Sequence, residues 1–230
     1  MAFDDPHSID LASLFRDPTI LESRRAWEVA GFRIVNRAGK ILVAQHPSVR
    51  GLLFKRYTEV DENEQLRNFE RRVAGARRLR SFVSLHGLSR LAVPQKWIFS
   101  LPRHRKAHVL VVEHLALCSQ DVAVRYQRID PATLRDLCVT LYHFRGMDSN
   151  VKNLPFMQDD RIGLVDTEHW DRNNRKAYLR QVEPYLSRDC RKLAAKLFDR
   201  LEGNEDLGNL SSRDDFDDED TSSSTSSSSS

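Results

Sequence analysis

The sequence predicts an α+β fold, in which a five-stranded antiparallel sheet with one long helix precedes a smaller, mostly helical part. Three observations indicate this fold. Apolar and polar residues alternate over short segments before residue 60 and after residue 94, a long stretch with helical spacing lies between them, and helical spacing returns from residue 131. With 230 residues, of which 40% are hydrophobic and 30% charged, the chain is long enough to bury a core of its own.

The first quarter of the chain predicts a lead-in helix and three strands. Residues 19–30 have apolar residues at helical spacing, which indicates a helix. Residues 31–45 alternate on both sides of a turn that contains Gly39, as expected for a hairpin. After a further turn, residues 51–57 form the third strand, which carries Lys55.

A long helix and two more strands follow. Residues 61–86 place their apolar side chains on one helical face, and Gly87 ends the pattern. Residues 96–101 and 108–115 are rich in strand-forming side chains. The sheet is therefore expected to have five strands.

The remainder of the chain predicts a compact helical part. Residues 131–144 form an amphipathic helix, residues 161–170 a strand that ends in charge, and residues 175–201 two closing helices. The serine-rich sequence at the end has nothing apolar to bury, so we expect residues 204–230 to be a disordered tail.

The charge of the chain is unevenly placed. The formal net charge is +3, but residues 211–220 hold six acids and one base, and the rest has 35 basic and 27 acidic residues. A positive body favours phosphate-bearing partners such as nucleotides, nucleic acid or anionic lipid. The composition does not select among them.

Cysteine usage and hydropathy indicate a cytoplasmic protein. Cys118, Cys138 and Cys190 are widely spaced among apolar neighbours, which is typical of reduced core residues. No apolar run approaches the length of about 18 residues that a membrane span needs, and the N-terminus lacks the pattern of a secretory signal. A translocated effector remains an open alternative.

A polar loop and a strand end carry the residues best suited to chemistry. Asp148 and Asn153 lie five positions apart in a loop, and Asp166 follows the apolar segment 162–165. An acid just past a buried strand and a loop of this composition are expected to converge at one edge of a sheet. Oxygen ligands in a small cluster suit Mg²⁺ or Mn²⁺ better than zinc.

In this order and spacing, the two motifs resemble the catalytic loop and the metal-binding loop of the protein-kinase-like superfamily. The order of elements is also similar to that of the family: three strands, a helix, two strands, a helix, a polar loop and a strand. The resemblance implies a two-lobed fold that binds ATP and Mg²⁺ (or Mn²⁺). It places Asp148 near the acceptor hydroxyl and makes Asn153 and Asp166 metal ligands.

The resemblance also implies roles for residues of the first lobe. Lys55 would be the lysine that binds the α- and β-phosphates, and Glu70 on the long helix, beside the apolar stripe, would be its acidic partner. The backbone carbonyl of Glu113 and the N–H of Leu115 would bind the adenine edge, with Val112 at the gatekeeper position.

The chain departs from the usual pattern of the family in several places. Only Gly39 stands where a glycine-rich loop is usual, and the residue pair before Asp148 is not His-Arg. Fewer than forty residues separate Glu168 from the predicted tail, which leaves no room for a long activation segment. Over residues of about 25 to 200, the chain is most similar to compact atypical kinases of bacterial effectors and to small-molecule or lipopolysaccharide kinases. The predicted parts are an N-terminal extension (1–24), an N-lobe (25–117), a minimal C-lobe (118–203) and the tail (204–230).

Three functions remain open. The first is an atypical kinase that transfers a phosphoryl group from ATP to an unknown protein or small-molecule acceptor. The second is an inactive pseudokinase that serves as a binding module. The third, which is less favoured because aromatic residues do not interleave with the basic ones, is binding of nucleic acid or an acidic partner through the arginines of the long helix. These arginines are Arg67, Arg71, Arg72, Arg77, Arg78 and Arg80.

Overall fold

The computed structural model of the chain describes residues 10–36, 40–102, 107–144, 147–168 and 180–203. These residues form an α+β fold with a five-stranded antiparallel sheet, a two-stranded parallel sheet and helices. The strands are β1 (Arg33–Ile34), β2 (Ile41–His46), β3 (Val49–Tyr57), β4 (Leu91–Ala92), β5 (Lys96–Ser100), β6 (His108–Glu113) and β7 (Ile162–Gly163). The described α-helices are α1 (Leu11–Leu14), α2 (Arg24–Val29), α3 (Glu62–Leu85), α4 (Val122–Gln127), α5 (Pro131–His143) and α6 (Arg188–Glu202).

The five-stranded sheet has the order β1-β2-β3-β6-β5 and confirms the predicted strands. Its central strand is β3, where Lys55 pairs with Val43 of β2 and Leu110 of β6. The predicted turn between β1 and β2, with Gly39, lies outside the described residues. The central position of β3 puts Lys55 in the middle of the sheet rather than at an edge.

The segment before β1 differs from the single helix predicted over residues 19–30. Residues 18–21 form a short 3₁₀ helix, and α2 begins only at Arg24, because the Ser23 side chain accepts a hydrogen bond of 3.1 Å from the N–H of Ala26 and caps the new helix. Phe15 and Ile20 are buried in the same core cluster as Trp27. Residues 11–21 are therefore part of this core rather than a separate extension.

Helix α3 confirms the long helix predicted over residues 61–86. Asp61 caps its start by accepting hydrogen bonds from the N–H groups of Asn63 and Glu64. Gly87, with a φ of +60°, follows its end. Phe69 of the helix packs into the cluster that includes Leu110 of β6, so α3 lies against the sheet.

The second part of the chain is a helical cluster. Helices α5 and α6 pack against each other around the largest buried cluster, which confirms the predicted helix at residues 131–144. The predicted strand at residues 161–170 is only β7, which pairs with β4 in parallel. Just beyond β7, the N–H of Leu164 still bonds to the carbonyl of Ala92, whereas the N–H of Val165 bonds to the carbonyl of Asn153.

Of the two closing helices predicted over residues 175–201, the described part contains α6. Residues 169–179, where the other would begin, lie outside the described residues, as does the predicted tail at 204–230. None of the described helices is both long enough and apolar enough to cross a membrane.

Candidate functional site

The loop after α5 holds Asp148 and Asn153 together. The Asn153 Nδ2 donates a hydrogen bond of 2.8 Å to Asp148 Oδ2, and the N–H of Asn150 donates one of 3.1 Å to Asp148 Oδ1. Asparagine and aspartate in this arrangement stabilise a tight turn through their own backbone neighbours. The amide oxygen of Asn153 is not used in the bond to Asp148, so it stays available for another group.

The same loop lies beside the strand end that carries Asp166. The N–H of Val165 donates a hydrogen bond of 3.1 Å to the carbonyl oxygen of Asn153. Leu164 is anchored to Ala92 of β4 by a hydrogen bond of 2.8 Å. These bonds bring Asp166 next to the Asp148–Asn153 turn, although eighteen positions separate the two aspartates in the sequence.

Asp166 is half-buried among positive charges. Its Oδ1 lies 3.6 Å from Arg72 Nη1 and accepts a hydrogen bond of 3.2 Å from the N–H of Glu168. Burial by itself would raise the pKa of Asp166, but the charge of Arg72, the Glu168 N–H and the charges of Lys96 and Lys55 together hold that pKa below its ordinary value. The carboxylate is therefore ionised at neutral pH.

Lys55 points from the central strand into this charged region. Burial, and then the positive charge of Arg72, lower the pKa of Lys55 to about 8, while the charge of Asp166 opposes the shift. Lys55 and Asp166 are thus close enough for their charges to interact. An amine with a pKa of about 8 is partly neutral near pH 8, and an anion beside it would favour the protonated form.

Arg72 of α3 is the residue that connects Asp166 and Glu168 to the helix. Its Nη2 lies 2.5 Å from Glu168 Oε2, and its Nε donates a hydrogen bond of 3.1 Å to the Tyr57 hydroxyl. The Arg72 side chain is only 8% exposed. The sequence did carry a signal for this position, because Arg72 is three residues after the buried Phe69 and so lies on the apolar stripe of the helix.

A second buried cation, Lys96 at the start of β5, was not predicted. Its Nζ donates hydrogen bonds of 2.9 Å to the Val165 carbonyl and 2.8 Å to the Thr167 hydroxyl. Burial, followed by the charges of Lys55 and Arg72, lowers the pKa of Lys96 well below its ordinary value. A lysine at the start of a strand is usually solvated, so its spacing alone gave no signal.

Glu70, the predicted partner of Lys55, is not brought to that lysine. Glu70 is exposed, and the ion pairs between described residues include none that joins it to Lys55. Two positions along a helix rotate a side chain by about 200°, so Arg72 faces the site when Glu70 faces away. The α3 residue of the site is therefore Arg72 and not Glu70 at the border of the apolar stripe.

The segment at the end of β6 packs against both α3 and the strand end before Asp166. Val112 is buried in the cluster between the sheet and α3. Leu115 is buried with Val165 and two other apolar residues, which links this segment to the strand end before Asp166. Contact of Glu113 and Leu115 with an adenine ring stays a prediction.

A cavity of about 490 Å³ lies at the start of β3, on the same strand as Lys55. Gly51 and His114 line it, together with Gln45 and the basic side chains of Arg33 and Arg50. Gly51 and Lys55 are four residues apart, or about 13 Å along a strand. The cavity and Lys55 are therefore separated by roughly the length of a nucleotide.

Chemically, this region contains buried cations, which suit an anion, and oxygen atoms of the kind that suits a hard cation. Among the described residues, no group of three or more His, Cys, Asp and Glu side chains is arranged to hold a metal ion. The oxygens that suit a divalent cation are those of Asp166 and the amide oxygen of Asn153. Asp166 Oδ2 takes part in neither the Arg72 contact nor the Glu168 hydrogen bond, both of which use Oδ1.

The arginines of α3 divide into one buried and several exposed residues. Arg72 is buried in the site, whereas Arg67, Arg71, Arg77 and Arg80 are exposed. The predicted basic surface of this helix therefore does not include Arg72.

No protein-family model matches this chain, and no curated protein matches its sequence.

Proposed function

We propose that this protein is an ATP- and Mg²⁺-dependent (or Mn²⁺-dependent) phosphotransferase of the atypical kinase type. In this proposal the five-stranded sheet with α3 is the first lobe of a protein-kinase-like fold, and the helical cluster is a reduced second lobe. The supporting observation is the meeting of four residues predicted from widely separated segments. Asp148 bonds to Asn153, Asn153 bonds to the residue before Asp166, and the charge of Asp166 acts on Lys55.

In the proposed reaction Asp148 takes the proton of the acceptor. An acceptor hydroxyl hydrogen-bonds to the Asp148 carboxylate, its oxygen forms a bond to the γ-phosphorus as the bond from that phosphorus to the leaving oxygen of ADP breaks, and the hydroxyl proton passes to Asp148. The hydrogen bonds from Asn150 and Asn153 keep that carboxylate in one orientation. Fixed orientation is a large part of catalysis in this chemistry.

Lys55 would bind the phosphates that do not leave. A phosphate beside Lys55 favours the protonated amine, so nucleotide binding at pH 8, where about half of the amine is neutral, is expected to take up about half a proton per protein molecule. Asp166 and Asn153 are the residues that would hold the divalent cation, since their oxygens are free of the contacts that orient them. When bound, that cation neutralises charge on the phosphates.

The base of the nucleotide would lie toward the cavity at Gly51 and His114. That cavity is at the opposite end of β3 from Tyr57, so an extended nucleotide with its phosphates at Lys55 would reach it. The backbone of the adjoining segment, Glu113 to Leu115, is the proposed adenine contact.

A second candidate is a nucleotide-binding module without transferase activity. It is favoured by the position of Arg72, whose guanidinium lies 3.6 Å from the Asp166 oxygen and competes with a metal ion for that carboxylate. The acceptor hydroxyl and its binding surface would have no role in such a module.

A titration with nucleotide and metal separates these candidates. ATP with Mg²⁺ is expected to raise the melting temperature of the protein, and Asp166→Asn is expected to abolish the Mg²⁺-dependent part. Asp148→Asn should keep the stabilisation and lose ATP turnover in the presence of a pool of candidate acceptors. Asp199→Asn, an exposed carboxylate on α6, is the matched control and should change neither.

Two results would decide against transfer. Stabilisation by ATP in the wild type without any turnover, including ATP hydrolysis, would favour the binding module. No response of the melting temperature to ATP and Mg²⁺ up to millimolar concentrations would reject both candidates.

A further inference from the structure

Arg72 holds three consecutive residues of the site from one position on α3. Its guanidinium contacts Glu168 at 2.5 Å and Asp166 at 3.6 Å, and its backbone carbonyl accepts a hydrogen bond of 2.8 Å from the Thr167 hydroxyl. Its third side-chain nitrogen donates to the Tyr57 hydroxyl. Every nitrogen of the guanidinium is thus engaged, and so is the carbonyl of the same residue.

Lys96 binds an overlapping segment, residues 165–167. Its amine donates to the Val165 carbonyl and to the Thr167 hydroxyl, which in turn donates to Arg72. The Thr167 side chain is fully buried between the two. Strand β5, helix α3 and the segment after β7 are therefore connected by one chain of hydrogen bonds.

We propose that Arg72 is the positioning residue of this site, which fixes Asp166, Thr167 and Glu168 against α3 and so sets the direction in which Asp166 presents its free oxygen. The proposal rests on the proposed function as far as it concerns metal and nucleotide, but the arrangement of Arg72 and its neighbours can be tested without either.

The geometry of arginine is what this position requires. The planar guanidinium offers donors in several fixed directions, so one side chain can reach Glu168, Asp166 and Tyr57 at the same time, whereas the ammonium group of lysine is a single compact charge. A lysine at this position would keep the positive charge but lose the several fixed donor directions of the guanidinium. The two properties of Arg72 can therefore be separated by substitution.

The charge of Arg72 also acts on Lys55, whose pKa it lowers. Removal of the charge is expected to raise the pKa of Lys55, and a residue that served only to fill space would not have this effect.

The first experiment measures the pH dependence of Lys55 acetylation in the nucleotide-free protein, followed by mass spectrometry of the peptide. The wild type is expected to titrate near pH 8. Arg72→Met should move the midpoint upward by a measurable fraction of a pH unit or more, and Arg72→Lys should leave it near the wild-type value. Arg71→Met removes an exposed arginine on the adjacent position and should not shift it.

The second experiment measures the Mg²⁺ concentration that gives half-maximal stabilisation in the presence of ATP. Arg72→Lys is expected to raise it about 10-fold or more, as is usual when a residue that orients a metal ligand is changed. Arg71→Met should leave it unchanged. In Arg72→Lys, an unchanged midpoint of Lys55 acetylation would show that the charge is kept. A weaker response to Mg²⁺ in the same variant would then show that Arg72 also positions its neighbours.

Folding and function can fail independently in this design. Arg72→Met leaves Glu168 without its cationic partner and can fail to fold for that reason. In that case the double variant R72M/E168Q, which removes both charges, takes the place of Arg72→Met in the acetylation series. An unchanged Lys55 midpoint in the folded charge-removing variant would overturn the proposal, as would a Mg²⁺ response of Arg72→Lys equal to that of the wild type. If the wild type does not respond to ATP and Mg²⁺ at all, the proposed function fails, and with it the metal part of this proposal. The acetylation series still shows whether the charge of Arg72 acts on Lys55.

Discussion

The burial of Lys55 lowers the stability of the folded protein. The folded protein lowers the pKa of this amine from 10.5 to about 8, so folding disfavours its charged form at neutral pH. Each unit of pKa shift corresponds to about 1.4 kcal/mol, which makes the cost about 3 kcal/mol where both states are protonated. A buried lysine that destabilises the fold is more readily explained by binding than by structure.

Lys55→Met is therefore expected to stabilise the protein while it removes binding of ATP. Between pH 8 and 10.5 the unfolded chain binds more protons than the folded one, so stability rises with pH in this window, and the cost of Lys55 is fully present only below it. The gain from the substitution should be about 3 kcal/mol at pH 7 and should approach zero toward pH 10.5. Urea unfolding at pH 7, 9 and 10 measures it.

The control for this prediction is Lys192→Met, which replaces an exposed lysine of α6. It should change stability by less than about 0.5 kcal/mol at every pH. A gain for Lys55→Met that does not depend on pH would contradict the explanation from burial of the charge.

At the residue scale, the sequence predicted the groups that belong to local motifs. Asp148 and Asn153 lie in one short loop, and short loops carry their geometry in their own residues. Arg72 and Lys96 belong to no such motif, because what makes them part of the site is burial against a segment far away in the chain. Glu70 was predicted from its position on the helical wheel. The packing of α3 on the sheet instead turned Arg72, two residues further along the helix, toward the site.

Among the elements, the short parallel pair of strands β4 and β7 positions the segment after β7, which carries Asp166. Gly163 of β7 lies so close to Leu115 that a Cβ atom there would be 2.9 Å from the Leu115 Cδ1. A larger residue must displace the Leu115 side chain or the strand. The absence of a side chain at residue 163 is therefore what allows the two segments to approach.

Gly163→Ala is expected to lower the free energy of unfolding by about 1 kcal/mol, because the clashing atom is the end of the flexible Leu115 side chain, which must change its rotamer. It should also weaken the ATP-dependent shift in melting temperature, because Leu115 and Val165 share one cluster. In a Leu115→Ala background the same substitution should cost less, since the clashing atom is gone. Additive effects of the two substitutions would mean that Gly163 does not contact Leu115.

Helix α5, which leads into the Asp148 loop, is capped by the residue that precedes it. The Asp130 side chain accepts a hydrogen bond of 3.0 Å from the N–H of Thr133 and caps the helix. Burial acts to raise the pKa of Asp130, but the hydrogen bonds from Thr133 and the charge of Arg90 outweigh it and lower that pKa. The cap is thus strongest when the carboxylate is ionised.

Asp130→Ala is expected to cost about 1 kcal/mol at pH 7, the usual cost of a lost helix cap. Because the folded pKa lies below the unfolded one, this contribution is present above the ordinary value of about 4 and is lost as the pH falls through the folded pKa. Thermal unfolding of both proteins between pH 7 and pH 3 checks it. A difference that stays constant down to pH 3 would contradict a role of the ionised carboxylate.

In the whole molecule, the N-terminal residues complete the core on the side of the sheet away from α3. Phe15 is 1% exposed, and its ring lies 5.3–5.7 Å from the rings of Trp27, Phe32, Phe54 and Phe99. Strand β3 thus packs through Phe54 against this aromatic cluster, while Lys55, the next residue, points to the other face. The site is supported from behind by residues more than thirty positions earlier in the sequence.

Phe15→Ala is expected to lower the free energy of unfolding by about 3–5 kcal/mol, because it leaves a cavity among four rings. Val29→Ala, at a residue that is 78% exposed, is the control and should cost little. Chemical unfolding followed by the fluorescence of the three tryptophans, of which Trp27 lies in this cluster, measures the cost. A cost below about 1 kcal/mol would mean that residues 11–21 are dispensable to the fold, as an N-terminal extension would be.

The sequence by itself determined the α+β class, the strands and helices with strong periodicity, and the local motifs that place Asp148 next to Asn153. These properties follow from interactions between residues close in the chain: alternation, helical phase, caps and turns. Only the tertiary structure decided that residues 11–21 enter the core, that β7 ends after two residues, and that Arg72 and Lys96 rather than Glu70 accompany Lys55. Those outcomes depend on which faces of distant elements meet and on which charges are then removed from water, and no spacing within a single segment contains that information.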